Sequence, residues 1–114
     1  MLETLLIVGL AALLAFASWA PPTWLLASAV VLSAIGAGFG VPWGVIYHWR
    51  LHAVLAPRGQ LGRGWWFHPT PYHRHLSDPT ERGWVMDAFV LGAVGFVVAC
   101  AGGVVFVAAL LRMA

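Results

Sequence analysis

An all-α membrane protein with three transmembrane helices is expected from this chain, because three observations agree. Hydrophobic residues make up 61% of the 114 residues and charged residues only 9%, so a soluble domain would expose more apolar surface than water tolerates. The apolar residues form three segments, about 2–20, 23–47 and 84–111, each near the roughly 20 residues that a bilayer-crossing helix needs. Such helices satisfy their own backbone polar groups in lipid. We therefore predict a single membrane domain, 1–114.

The first two helices are predicted to form a tight hairpin at Pro21 and Pro22. Proline cannot continue the helix before it, yet it suits the first turn of the next helix. Residues 5–16 resemble the apolar part of a signal peptide, but Glu3 stands where such a peptide has a positive charge. The bulky Trp19 also lies just before the position of cleavage, so we expect a retained span.

The polar segment that joins the second and third helices, residues 48–83, is predicted to be cytoplasmic. It contains five of the six arginines, and arginine-rich loops stay on the cytoplasmic side of a membrane. The N-terminus is then also cytoplasmic and the C-terminus lies on the opposite side, as in a protein of a bacterial inner membrane. Aromatic belts agree with this topology: Trp19 and Trp24 mark one interface, and Trp43, Trp49, Trp65, Trp66 and Trp84, with Tyr47 and Tyr72, mark the other.

Turn residues divide this connecting segment. Glycines and prolines between 57 and 64 predict turns, so the second helix should end at about Ala56. A short helix should carry His73 and His75. The third helix should begin near Pro79, with Asp78 and Glu81 forming a variant of the capping box.

Small residues repeat at helical spacing in two of the spans. They are Gly36 and Gly40 in the second, and Gly95, Ala99 and Gly103 in the third. Such residues let helix backbones approach closely, either within one chain or between two. These faces therefore predict helix packing and offer a surface for a homodimer.

Histidines give the chain its most specific chemical signal. His48 and His52 are four residues apart on a helix that leaves the membrane, so both project from one face and can reach one metal ion. A site built from imidazole without thiolate suits iron, zinc or copper better than magnesium or calcium. The alternative is that both histidines lie at the membrane interface and bind no metal.

The remaining three histidines lie further along the same segment. The turns between 59 and 64 fold the chain back, which brings His68, His73 and His75 towards the first pair. On an α-helix, however, His73 and His75 point about 200° apart. They share a site only if the local backbone is irregular. His68 is expected either to contact a ligand residue without binding the metal itself or to face solvent.

Asp87 is a candidate partner of this site. It lies about two turns into the third helix and precedes an unbroken apolar run, where an unpaired carboxylate is expensive. Arg50, Arg82 or an imidazole N–H are possible partners. The alternative is that Asp87 reaches the membrane interface on its own.

The histidine spacing resembles that of the fatty acid hydroxylase, sterol desaturase and carotenoid hydroxylase superfamily. The run Tyr47-His48-Trp-Arg-Leu-His52 looks like its first histidine box, and His68 to Pro79 looks like a degraded second box. This resemblance covers about 47–87 and implies a di-iron lipid hydroxylase. The chain departs from the pattern, since it has no adjacent His-His pair and no later boxes. A working site would need ligands from a second chain or from carboxylates such as Asp87.

Several functions are left open. One is a membrane protein with a metal-binding histidine cluster. In its catalytic form it would be a smaller relative of the di-iron hydroxylases. Another is a non-catalytic protein whose Arg- and Trp-rich segment binds lipid headgroups or a partner protein. A third is a noncovalent haem site between two imidazoles. Nucleic-acid binding is not expected because the arginines are dispersed, and Cys100 is a lone apolar packing residue.

Overall fold

The computed structural model describes residues 1–114 and confirms the predicted all-α architecture. Three long helices and two short 3₁₀ helices follow each other without any strand: α1 (Leu2–Trp19), α2 (Pro22–Leu55), Ala56–Arg58, Thr70–His75 and α3 (Pro79–Met113). All three long helices are long and apolar enough to cross a membrane. The chain is therefore a small integral membrane protein.

The helix ends lie where the turn residues predict them. Helix α1 ends at Trp19, and Ala20 is already extended. Pro22 opens α2, and the carbonyl of Pro21 accepts hydrogen bonds from the N–H groups of Trp24 and Leu25. Satisfying these first N–H groups is what the start of a helix requires. The predicted hairpin at the two prolines is confirmed.

Helices α2 and α3 are longer than the apolar segments that predict them. With 34 and 35 residues they measure about 50 Å at 1.5 Å per residue, against roughly 30 Å for the hydrocarbon core. Helix α2 ends at Leu55 and continues as a 3₁₀ turn that Gly59 closes with a left-handed φ of 65°. Both helices thus have the length to project beyond the lipid.

The start of α3 is confirmed at Pro79, but its cap differs from the prediction. The carboxylate of Asp78 accepts a long hydrogen bond from the N–H of Thr80, at 3.4 Å. Glu81 does not complete a capping box: one of its carboxylate oxygens binds Arg58 at 2.5 Å, and the other has no hydrogen-bond partner.

Two compact units make up the fold. The first, here called the apolar unit, consists of residues 1–37 and 97–114. Its core is small and apolar: Ala17, Ala20, Leu25, Ala29, Val105 and Ala109. Arg112 donates hydrogen bonds to the carbonyls of Ala17 and Ala20, which α1 leaves unpaired at its end. This is the only arginine of the unit.

Helix packing in the apolar unit uses a glycine that differs from the predicted one. A side chain on Gly102 would meet the backbone N of Ser33 at 2.7 Å and the carbonyl of Ala29 at 3.0 Å. Gly103, which the sequence pattern favoured, is exposed and has no atom within 4 Å of that position. The predicted close approach exists, but it is displaced by one residue along α3.

The second unit, residues 38–96, contains all five histidines and is here called the histidine unit. Its core joins α2, the connecting segment and α3: Tyr47, Leu51, Leu55, Leu76, Val85 and Ala88. The predicted small-residue contact occurs at Gly40, where a Cβ would lie 2.9 Å from the backbone carbon of Gly95. The two helix backbones of this unit therefore touch directly.

Candidate functional site

A pair of side chains from α2 and the connecting segment lies at the centre of the histidine unit. Tyr47 is only 3% exposed, and its hydroxyl lies 2.5 Å from Nε2 of His73. Phe89 packs against both rings, with centroid distances of 5.2 Å to Tyr47 and 5.1 Å to His73. This hydrogen bond ties the 3₁₀ helix Thr70–His75 to α2.

The environment of His73 favours a neutral ring. Burial lowers the pKa of His73, and the nearby positive charge of Arg82 lowers the pKa further. The guanidinium of Arg82 also donates a hydrogen bond to the carbonyl of His73, at 3.2 Å. A neutral imidazole has one nitrogen without a hydrogen, so Nε2 of His73 can accept a hydrogen bond from the hydroxyl of Tyr47.

Tyr47 is the residue whose role the sequence did not reveal. The sequence pattern predicts a residue of the interfacial aromatic belt, whereas the structure places Tyr47 in the core against His73. A tyrosine at the end of an apolar run has the same local pattern in both cases, because either position pairs an apolar ring with a polar hydroxyl. Only the course of the distant segment that carries His73 decides between them.

His48 lies between two backbone carbonyls. Its Nδ1 is 2.8 Å from the carbonyl oxygen of Gly44, and its Nε2 is 2.9 Å from the carbonyl oxygen of Trp66. Its ring also packs on the indole of Trp66 at a centroid distance of 4.1 Å. These contacts hold the ring of His48 between α2 and the connecting segment.

The other three histidines have separate surroundings. His52 is exposed and packs on Trp65, 5.7 Å between centroids, and the same indole contacts His48 at 5.8 Å. His75 packs beside Tyr72, in a 3₁₀ helix that separates it from His73 by about 240°. His68 is exposed, and its side chain forms no hydrogen bond.

The structure does not gather these imidazoles around one point. No group of three or more His, Cys, Asp or Glu side chains is arranged to hold a metal ion. The hydrogen-bonded nitrogens of His48 and His73 would have to leave their partners before they could bind one. The metal centre that the histidine spacing predicts stays a prediction, and the feature that supports it is the indole of Trp65, which His48 and His52 both contact.

The proposed charge partners are also placed apart. Asp87 is exposed and forms neither an ion pair nor a side-chain hydrogen bond. Arg50 donates a hydrogen bond to the carbonyl of Trp84 at 2.7 Å. The guanidinium of Arg50 lies 5.8 Å from the ring of Trp43 and 5.0 Å from that of Trp84, so it makes cation–π contacts with two indoles.

The five arginines of the connecting segment and its borders differ in their partners. Arg58 alone is paired with a carboxylate, that of Glu81. Arg50 and Arg82 bind backbone carbonyls. Arg63 is exposed without a side-chain hydrogen bond, and the guanidinium of Arg74 has only a 3.5 Å contact to His75. Two cationic groups are therefore free to bind an anion from outside.

Comparisons with protein-family models, with curated proteins and with solved structures gave no match for this chain. The resemblance of residues 47–87 to the membrane hydroxylases therefore stays a prediction from histidine spacing. What the structure itself establishes is a small membrane protein with three candidate membrane-spanning helices.

Proposed function

We propose that the protein is a non-catalytic membrane protein that binds anionic lipid headgroups through the histidine unit. The observation that carries this proposal is the exposure of Arg63 and Arg74 without a carboxylate partner. Planar guanidinium groups form paired hydrogen bonds with phosphate, which makes arginine well suited to lipid phosphates.

The charge balance of the segment supports this proposal. Residues 48–83 contain five arginines, no lysine and two carboxylates, Asp78 and Glu81. Since Glu81 is already paired with Arg58, the remaining charge of the segment is mainly positive. Basic residues beside a membrane are attracted to anionic lipids by about 1 kcal/mol each, within the short range that salt permits.

Exposed aromatic rings in the same segment support contact with a bilayer surface. Phe67 is 81% exposed and Trp66 is 48% exposed, although both lie in a loop that a water-soluble surface would fill with polar residues. Trp49, on α2, is 62% exposed. Aromatic rings partition to the headgroup level of membranes, where their faces contact acyl chains and their edges remain hydrated.

Lipid selectivity tests this proposal. The purified protein would be reconstituted in phosphatidylcholine, and its preference for spin-labelled phosphatidylglycerol over spin-labelled phosphatidylcholine measured by electron paramagnetic resonance. We expect a preference for phosphatidylglycerol that falls as salt is raised. Replacing Arg63→Gln and Arg74→Gln together should weaken it by about 30-fold at low salt if each arginine contributes about 1 kcal/mol.

A charge-neutral double variant is the matched control. Arg58→Gln with Glu81→Gln removes one positive and one negative charge from the same unit, so the lipid preference should stay at the wild-type value. An unchanged preference in the Arg63 and Arg74 variant would contradict the proposal. If those arginines instead cross-linked to another protein in native membranes, the partner-protein alternative would replace it.

Metal binding is the second candidate function, and the shared contact of His48 and His52 with Trp65 favours it. Both imidazoles lie on one side of α2 beside the same indole. A metal between them would require Nε2 of His48 to release the carbonyl of Trp66. Iron or zinc suits such imidazole ligands. A smaller relative of the di-iron hydroxylases would need further ligands, which His73, His75 or Asp87 would have to supply.

Metal analysis after purification with supplied iron or zinc tests this second candidate. Stoichiometric metal that disappears in the His48→Ala and His52→Ala double variant would support it. His68→Ala is the matched control, because this exposed imidazole has no side-chain partner. Absence of bound metal at every supply level would contradict it.

A further inference from the structure

The histidine unit contains an open cleft that shares only His48 with the proposed functions. It has a volume of about 350 Å³ and is lined by Pro69 of the connecting segment and by residues of α2 and α3. Its wall on α3 runs from Ala88 to Phe96, which corresponds to about 12 Å along the helix. The volume is in the range of sites that bind small molecules.

One glycine leaves this space open. A side chain on Gly44 would have no atom within 4 Å, although Gly44 lines the cleft. By contrast, a side chain on Gly92 would meet the backbone N of Gly44 at 3.2 Å. Close helix contact therefore explains why residue 92 is a glycine. At position 44, the lack of a side chain leaves the space of the cleft unfilled.

The cleft offers almost nothing to a polar ligand. Its lining residues are mainly alanine, glycine and phenylalanine, and the only polar side chains among them are those of Tyr47 and His48. The hydroxyl of Tyr47 is engaged with His73, and both ring nitrogens of His48 face backbone carbonyls. A charged or hydrogen-bonding group entering the cleft would lose water without gaining a partner.

The bilayer supplies an apolar occupant for such a cleft. A single hydrocarbon chain is narrow enough to enter. Phe96 lies within the apolar run of α3, so acyl chains of the bilayer reach the open side of the cleft.

We infer that this cleft holds one acyl chain of a membrane lipid, with Phe89 and Phe96 as its walls and Gly44 as its floor. The inference does not depend on headgroup binding, since nothing in the cleft recognises a charge. A lipid bound here would stay with the protein longer than the lipids around it, because its chain is enclosed by side chains on several sides.

Photo-crosslinking tests this inference. The protein would be reconstituted in phosphatidylcholine containing a small fraction of phosphatidylcholine with a diazirine in its acyl chain, and the adducts mapped by mass spectrometry. We expect adducts concentrated at Phe89 and Phe96. Gly44→Leu should fill the cleft and reduce these adducts at least fivefold.

Gly38→Leu is the matched control. Gly38 lies on the same helix, is exposed, has no atom within 4 Å of an added side chain and does not line the cleft. Its adducts at Phe89 and Phe96 should equal those of the wild type. If Gly44→Leu fails to give a monodisperse protein, Ala93→Leu fills the same cleft from α3 and decides the question.

Two results would overturn the inference. One is equal labelling of Phe89 and Phe96 in the filled variant and the wild type. The other is adducts spread evenly over the exposed faces of α2 and α3. Because the probe lipid is zwitterionic, these results are independent of whether Arg63 and Arg74 bind anionic headgroups.

Discussion

The apolar unit and the histidine unit are built from the same helices but are held together differently. In the apolar unit the core consists of alanine, leucine and valine, and Arg112 makes its main polar contact by closing the end of α1. In the histidine unit, hydrogen bonds and aromatic contacts join α2 and α3 to the connecting segment. Tyr47 and His73 are the most buried example.

This difference separates packing from recognition. Lipid already surrounds apolar helices, so small residues and close contact are enough to associate them. The connecting segment is polar and arginine-rich, and it gains stability from a buried core and satisfied polar groups. The histidine unit consequently has the arginines, the histidines and the exposed aromatic rings, and the proposed functions belong to it.

The largest expected effects come from the close glycine contacts, of which each unit has one. Gly40→Leu would place a side chain against the backbone of Gly95, so we expect a loss of stability of about 2–3 kcal/mol or more. Gly102→Leu should do the same in the apolar unit. Thermal unfolding in detergent, followed by tryptophan fluorescence, would measure both. Gly38→Leu and Gly103→Leu, where space is open, are the controls and should remain near wild type.

Removing one hydroxyl tests whether polar contacts hold the histidine unit. Tyr47→Phe keeps the ring but leaves Nε2 of His73 without its partner, which should lower the free energy of unfolding by about 1–3 kcal/mol. Tyr72→Phe is the control, because its hydroxyl accepts only an exposed 3.2 Å hydrogen bond from Gly62. Equal stability of the two variants would contradict a structural role for the Tyr47–His73 pair.

The pH dependence of stability should follow from His73. Its pKa in the folded protein is lower than the ordinary value of 6.5, so near and below that pH the unfolded chain binds more protons than the folded one. Stability should therefore be complete above pH 6.5 and decrease as the pH falls towards the lower folded pKa. His73→Gln should flatten this part of the profile of unfolding temperature against pH. A slope identical to that of the wild type would refute the assignment.

The smallest effect is expected for the one ion pair. Arg58 and Glu81 are partly exposed, with side-chain exposures of 44% and 29%, and pairs of this kind contribute about 0.2–1 kcal/mol. Arg58→Gln combined with Glu81→Gln should therefore shift the unfolding temperature only slightly. A loss as large as that of Tyr47→Phe would mean that this pair, rather than the buried hydrogen bond, holds the connecting segment in place.

The sequence was sufficient to predict the helices because each depends on local signals. Apolar runs define the spans, and the prolines at 21, 22 and 79 mark where α2 and α3 begin. The glycine contact was less precise, since the pattern favoured Gly103 and the structure uses Gly102. Two neighbouring small residues on a helix give the same composition but face directions about 100° apart.

The arrangement of the histidines depends on contacts between distant parts of the chain. The four-residue spacing of His48 and His52 places them on one side of α2, as predicted, and Trp65 contacts both. The contact of His48 with the carbonyl of Gly44 is local, since both residues lie on α2 four positions apart. Its contact with the carbonyl of Trp66 follows from the course of the loop, which no local pattern determines. Every residue has a backbone carbonyl oxygen, so a sequence motif does not indicate which carbonyls a side chain will contact.

Contact between arginine and lipid phosphorus tests the proposed headgroup function most directly. Solid-state NMR would measure ¹³C–³¹P dipolar coupling between the guanidinium carbons and phosphatidylglycerol in the bilayer, with single variants assigning each signal. We predict coupling at Arg63 and Arg74 and none at Arg50, which Trp43 and Trp84 already enclose. Coupling at Arg50 without coupling at Arg63 and Arg74 would contradict the proposed function.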